Sequence, residues 1–209
     1  MISYTITACN EDKELNTLLE FLIRNIKESD EIVIQLDSES VTDEVKSVVE
    51  RYKNLNGSIK VIEFPLNKDF ASFKNNLKSH CDKEWIFNID ADEMPSGFLL
   101  DNLHLIVETN SEVEVFIVPR WNTVDGITDL HIKSWGWNFD EFGRVNWPDW
   151  QMRLYKNNDS IVWKNKVHEQ LDGFVSYSFF PDEKEYCLFH NKTIQRQESQ
   201  NNFYNTIGN

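Results

Sequence analysis

Trp85-Ile86-Phe87-Asn88-Ile89-Asp90-Ala91-Asp92-Glu93 is a short apolar run that ends abruptly in three carboxylates. The run reads as a buried strand, and acid at a strand end needs a reason. Side chains alternate along a strand, so Asp90 and Asp92 project to one side while Ala91 between them takes little space. Two carboxylates aimed at one point repel each other and are costly to desolvate, and a bound divalent cation is the usual remedy. The pair is therefore a candidate site for Mg²⁺ or Mn²⁺, hard ions that suit carboxylate oxygen and keep positions open for phosphate. The competing reading is plainer: Asp and Glu also gather at strand ends as turn formers and helix caps.

Upstream of this run the chain alternates strand and helix. Ile2–Thr7 reads as a strand, and Lys13–Lys27 as a helix with Leu15, Leu18, Leu19, Leu22 and Ile26 on one face. Glu31–Leu36 is the second strand, Thr42–Tyr52 a helix opened by Thr42 as N-cap, and Ser58–Phe64 a third strand closed by Pro65. Phe70–His80 carries Phe70, Phe73 and Leu77 on one helical stripe, and a further helix is expected from about Ser96 to Glu108. This βαβαβαβα order predicts an α/β fold with a mostly parallel central sheet and helices on both faces.

In such sheets ligands bind beyond the carboxyl ends of the strands. Each of the four strands is followed there by polar residues: Thr7-Ala8-Cys9-Asn10-Glu11, Asp37-Ser38-Glu39-Ser40, Asn67-Lys68-Asp69 and Asp90-Ala91-Asp92-Glu93. Four loops on one rim can make one site. Past residue 112 the regularity fades into strands at Glu114–Pro119, Gln151–Tyr155 and Ile161–Val167, with an irregular aromatic region over Arg120–Asp149. Residues 192–209 read as a polar, Gln/Asn-rich tail.

A chain of 209 residues suffices for one domain with a sizeable core. Thirty-five acidic against 21 basic residues give a net charge of −14, which argues against non-specific binding to nucleic acid or anionic membranes. Cys9, Cys81 and Cys187 are scattered and odd in number, so neither a disulfide framework nor a zinc knuckle is implied. No apolar run approaches the roughly 18 residues of a membrane span, and Met1-Ile2-Ser3 enters a strand pattern with no signal-peptide flank. The expectation is a soluble, cytoplasmic protein.

Neither a Gly-X-Gly-X-X-Gly after the first strand nor a Gly-X-X-X-X-Gly-Lys-Ser/Thr loop is present, which sets aside dinucleotide dehydrogenases and P-loop NTPases. Instead the residues resemble the family-2 glycosyltransferases of GT-A fold. Thr7-Ala8-Cys9-Asn10-Glu11 is similar to that family's first-strand loop, and Asp37-Ser38-Glu39-Ser40-Val41-Thr42-Asp43 to its second-strand loop with extra spacing. Asn67 to Asn75 resembles the stretch before the metal motif, and Asp90-Ala91-Asp92-Glu93 the motif itself. Arg153-Leu154 and Val167-His168-Glu169 resemble the later Arg-Leu strand and Val-His-Glu turn of a subgroup.

The resemblance implies a nucleotide-diphosphate-sugar donor, a UDP-sugar first, and a glycan or glycoconjugate acceptor. Donor binding then falls to Thr7, Ala8, Asn10, Glu11, Asp37, Asp69, Lys74, Asn75, Asp90 and Ala91, with Asp37 accepting from the base. Asp90, Asp92 and the late His190 become the ligands of Mn²⁺ or Mg²⁺, although a lone His at a strand end is commonly just surface or core. Residues 1–112 form the donor half, 113–191 the acceptor and catalytic half. Inversion at the sugar, also inherited from the resemblance, requires a carboxylate to take the acceptor's proton. Glu169 is the first choice and Asp149 the second, the latter because burial amid aromatics would raise its pKa. As plainer roles, Glu169 would be a cap or surface acid and Asp149 a loop former after Pro148. Six of the seven tryptophans fall between Trp121 and Trp163; they suit either sugar stacking or cover of the sheet, and Trp135-Gly136-Trp137 suits a flap. A sugar nucleotidyltransferase and a non-catalytic sugar-binding domain are the alternatives. The first usually needs a Gly-rich basic loop where Asn10-Glu11-Asp12 stands.

Overall fold

The four parallel strands form where the apolar runs predict them. β1 (Ile2–Ala8), β2 (Glu31–Asp37), β3 (Ile59–Phe64) and β4 (Trp85–Asp90) lie side by side in the order β3-β2-β1-β4. The computed structural model describes residues 1–207, with side chains as far as Phe203. Helix α1 (Asp12–Asn25) buries Leu15, Leu18, Leu19 and Leu22, the stripe its spacing predicts. Helix α2 (Asp43–Leu55) starts at Thr42, whose side chain accepts from the Val45 N–H at 3.3 Å. With α4 (Gly97–Thr109) these helices cover one face of the sheet, while α3 (Phe70–Lys78) packs Ala71 and Leu77 on the other. The arrangement is a three-layer α/β sandwich.

The second half extends the same sheet. β6 (Val115–Asp125), β7 (Val145–Lys156) and β11 (Leu188–Thr193) continue it in the order β4-β7-β6-β11, closed by the three-residue β5 (Glu93–Pro95) against β11. Of the strands in this sheet only β5 and β7 run against the rest; β10 (Tyr177–Phe179) joins β6 in parallel. Much of the region expected to be irregular is therefore strand: β6 runs six residues beyond Pro119, and β7 begins at Val145. Between them, α5 (Asp129–Trp135) is ended by Gly136 in the left-handed conformation, so Trp135 and Trp137 flank a helix C-cap. The expected tail also begins inside the sheet, since Lys192 and Thr193 complete β11 before α6 (Ile194–Ile207). Residues 208–209 of it lie outside the described residues.

A separate hairpin, β8 (Val162–Lys164) and β9 (Gln170–Asp172), lies over the α3 face and carries Val167-His168-Glu169 in its loop. The Trp163 and Leu171 side chains pack into the core on that face. Trp163 is thus core, as its plainer reading had it. The hairpin leaves through Gly173, at φ +85°, where a Cβ would lie 1.9 Å from the Ser160 carbonyl oxygen. Gly173→Ala combines a left-handed backbone with a backbone clash, and is expected to cost about 1–3 kcal/mol by urea unfolding. An unchanged unfolding midpoint would show that the loop relaxes freely.

Candidate active site

Strand order reverses between β1 and β4, and the crevice beyond their carboxyl ends is where an α/β sheet binds ligands. Thr7 pairs in register with Asp90 at this point. β4 and β7 pair only as far as Phe87 with Leu154, one residue short of Arg153. The sheet therefore forks, and the buried Arg153 side chain fills the throat: Nη2 lies 2.6 Å from Asp90 Oδ2 and 2.5 Å from Glu93 Oε1.

From this throat a chain of charged and polar contacts runs both ways. On one side Asp90 Oδ1 faces Lys74 Nζ at 3.7 Å, and the same ammonium donates to Glu169 Oε1 at 2.6 Å. Lys74 is buried and rests over the Trp163 ring, 4.7 Å from its centroid. On the other side Glu93 Oε1 pairs with Arg120 Nη1 at 3.1 Å, and Arg120 Nη2 with Asp149 Oδ2 at 2.6 Å. Asn122 Nδ2 donates to Asp149 Oδ2 at 2.7 Å, Asn122 Oδ1 lies 2.7 Å from His190 Nδ1, and His190 Nε2 lies 3.3 Å from Asp92 Oδ2. The chain thus joins Asp92 to Glu169 through residues of α3, β4, β5, β6, β7, β11 and the hairpin loop.

The charges set the protonation states. Burial alone would raise the Asp90 carboxyl, but Arg153 and Lys74 outweigh it and hold that group well below the ordinary carboxylate range. For Asp92, burial is likewise outweighed, here by the hydrogen bond and charge of His190 and by Lys192. Asp149 corrects an expectation. Burial does push its pKa up, but the Arg120 guanidinium and the Asn122, Arg120 and Gln151 donors bring it below the ordinary value. Its oxygens are engaged by those three residues, which leaves it poorly suited to act as a base.

The metal-ligand expectation is also modified. Asp90 and Asp92 do not aim at one point but turn to separate cations, and among the described residues no three His, Cys, Asp or Glu side chains gather as a metal cage. Asp92 and His190 do stand together. With His190 Nδ1 turned to Asn122, its Nε2 stands beside the Asp92 carboxylate; on giving up the Nε2 proton, that nitrogen and the carboxylate would make a donor set that fits Mn²⁺ or Mg²⁺. Such ions commonly take one or two protein carboxylates and fill the remaining positions with phosphate and water.

The remaining candidates divide. Thr7 and Ala8 end β1 on the crevice, and Ala91 is buried in the turn between the two acids. Glu11 Oε2 accepts the Cys9 and Asn10 N–H groups at 2.7 and 2.9 Å, folding the first loop onto its own acid. Asp37 is nearly buried, and its Oδ1 accepts from Glu39 and Leu66 N–H, stapling the second and third loops together. Asp69 and Asn75 take structural positions rather than joining the chain of contacts. Asp69 caps α3 by accepting from the Ser72 N–H at 2.9 Å, and the Asn75 amide both donates to Trp163 O and accepts from Trp163 N–H, which pins the hairpin. Arg120, Asn122, Lys192 and Arg196 were not anticipated. An arginine within an otherwise apolar strand, as in Val118-Pro119-Arg120-Trp121, is the signal that could have drawn attention.

Comparisons with known proteins agree with this fold. The chain is 29% identical over 102 residues to an uncharacterized glycosyltransferase of Haemophilus influenzae, a match covering 49% of this chain and 38% of that protein. The crystal structure of S. aureus TarS residues 1–349 superposes with a TM-score of 0.64 at 14% identity, over 91% of this chain and 60% of that one. The same TarS fragment in complex with UDP-GlcNAc gives 0.62 at 14% identity, over 92% and 59%. The chain thus spans 38% of the length of its curated relative and about three fifths of these solved chains. The sequence profile of glycosyl transferase family 2 matches residues 3–185, nearly the whole chain, and the chain belongs to that family.

Proposed function

We propose that this domain transfers a sugar from a nucleotide-diphosphate sugar to a hydroxyl of a glycan or glycoconjugate, with inversion and with a divalent metal. The observation that carries the reading is the continuous chain of contacts from Asp92 to Glu169 at the switch point of the sheet. It joins a metal-competent pair on the donor side to an acid on the opposite side. Asp92 and His190 would hold Mn²⁺ or Mg²⁺, which when bound neutralises charge on the departing diphosphate. Thr7, Ala8 and Asp37 line the nucleoside side of the crevice, and Asp90, fixed by Arg153 and Lys74, reaches the ribose and sugar. Lys74 holds Glu169 by Oε1 and leaves Oε2 to accept the proton of the attacking hydroxyl. Attack opposite the leaving phosphate inverts the anomeric centre.

Glu11 weighs against a nucleotidyltransferase, because its carboxylate takes up the backbone N–H groups that a triphosphate-cradling loop would offer. The TarS complex with UDP-GlcNAc makes UDP the first nucleotide to try. Calorimetric titration of UDP, GDP and dTDP, with and without Mn²⁺, tests the reading. One nucleotide is expected to bind in a metal-dependent manner, and Asp92→Asn to weaken it by about tenfold or more. Retention of full metal-dependent affinity in Asp92→Asn would remove Asp92 from the donor site.

A further inference from the structure

Two cations outside the chain of contacts just described converge on Asp92 from the end of β11 and the first turn of α6. Lys192 Nζ and Arg196 Nη2 each lie 3.6 Å from Asp92 Oδ2, the oxygen that also faces His190. At that distance both neutralise the carboxylate without making a normal hydrogen bond to it. Their firm bonds are elsewhere: Arg196 Nη2 donates to Glu11 Oε1 at 2.9 Å, Arg196 Nη1 lies 3.4 Å from Glu14 Oε1, and Lys192 donates to Gln200 at 2.6 Å. Lys192 and Arg196 also line an open groove with Glu14 and Asp125.

This arrangement sets two positive charges where the donor reading needs a divalent ion. A metal approaching Asp92 alone must compete with both of them for that carboxylate. A diphosphate relieves that competition, since it offers more acceptor oxygens than one carboxylate and suits the planar fork of an arginine. We propose that Lys192 and Arg196 are the resting counter-cations of Asp92 and transfer to the donor's diphosphate, so that metal enters the site only together with nucleotide. The inference rests on the donor reading above and adds two diphosphate-binding residues and an order of binding to it. It also makes the first turn of α6 part of the donor site.

The test uses Lys192→Met, Arg196→Gln and the double variant, with melting curves to confirm folding. Mn²⁺ alone is titrated by loss of the aqua-ion's paramagnetic resonance signal, and UDP, GDP, ADP and dTDP by calorimetry with Mn²⁺ present. Removing the cations is expected to move the two affinities in opposite directions. Mn²⁺ alone should bind several-fold tighter, and the nucleoside diphosphate about tenfold or more weaker. A merely structural role would weaken both, and that result overturns the proposal, as does wild-type affinity for the nucleotide in the variants. Binding of none of the four nucleotides to the wild type would overturn the donor reading itself, and this inference with it. Arg196→Gln, on the more exposed of the two residues, decides the matter if Lys192→Met fails to fold.

Discussion

Replacing Arg153 by Met is expected to destabilise the fold by about 3–5 kcal/mol, the usual cost of removing one partner from a buried ion pair. For a domain of this size that is a fall of about 10 °C or more in melting temperature. The reason lies in the fork. Arg153 is nearly fully buried and is the nearest cation to both Asp90 Oδ2 and Glu93 Oε1; Glu93 itself is 1% exposed. Without the guanidinium, among the described residues Glu93 keeps only Arg120 and the Asp90 N–H, and the Asp90 carboxylate keeps the more distant Lys74. Arg153→Lys should recover little, because one ammonium does not reproduce a planar fork that spans two carboxylates. Arg153→Met with Glu93→Leu should recover more than either single change predicts, since it removes the stranded charge as well.

The same substitution has a pH signature. The folded Asp90 carboxyl titrates well below its unfolded value of about 3.9, so it contributes stability in full at about pH 5 and above. The contribution is lost as the pH falls from about 5 toward the folded pKa. In Arg153→Met the depression is relieved, so wild-type and variant stabilities should converge on acidification. Urea unfolding between about pH 3 and pH 7 measures this. A constant difference across that range would mean that Arg153 stabilises through packing of its stem and not through its charge.

The parts of this architecture that were legible in the sequence are those whose signal is local. Leu15, Leu18, Leu19 and Leu22 state their helix face within eight residues, and the mainly apolar runs of β1, β2 and β4 mark strands that the fold buries almost throughout. The rim followed, because polar residues after each strand end must share one edge of a parallel sheet. What stayed hidden depends on contacts between distant segments. Nothing near Asp90 announces that Arg153, 63 residues away, will enter the fork, or that Arg120 will bridge Glu93 to Asp149. β5, β9 and β10 are three residues each, too short to show a period, whereas the strand expected over Ile161–Val167 is present as the shorter β8. The cap made by Asp69 and the clamp made by Asn75 were hidden for a different reason: Asp and Asn serve equally as ligands and as caps or clamps, and the sequence does not name the partner. Asp149 failed on electrostatics, since a carboxylate among aromatics is raised by burial only if no guanidinium faces it.

Glu169→Gln is expected to lower turnover by about 10²–10⁴-fold while leaving affinity for the nucleotide within a factor of two or three. The amide keeps the shape of the side chain and an oxygen for Lys74, but cannot take a proton from an acceptor hydroxyl. Glu169 sits in the β8–β9 loop, held by Lys74 and by a hairpin that Asn75 pins through both backbone groups of Trp163. Removal of the carboxylate therefore leaves its surroundings in place. Release of nucleoside diphosphate in the presence of acceptor measures the rate, and calorimetry measures donor binding. Asp149→Asn is the contrasting variant: it should lower stability by breaking the pair with Arg120, and lower turnover far less than Glu169→Gln. Formate should restore part of the activity of Glu169→Ala, since a small carboxylate can occupy the vacated space. If Asp149→Asn is the variant that loses turnover, the base lies on β7 and the chain of contacts runs in the opposite sense, with the Lys74–Glu169 pair serving only to dock the hairpin.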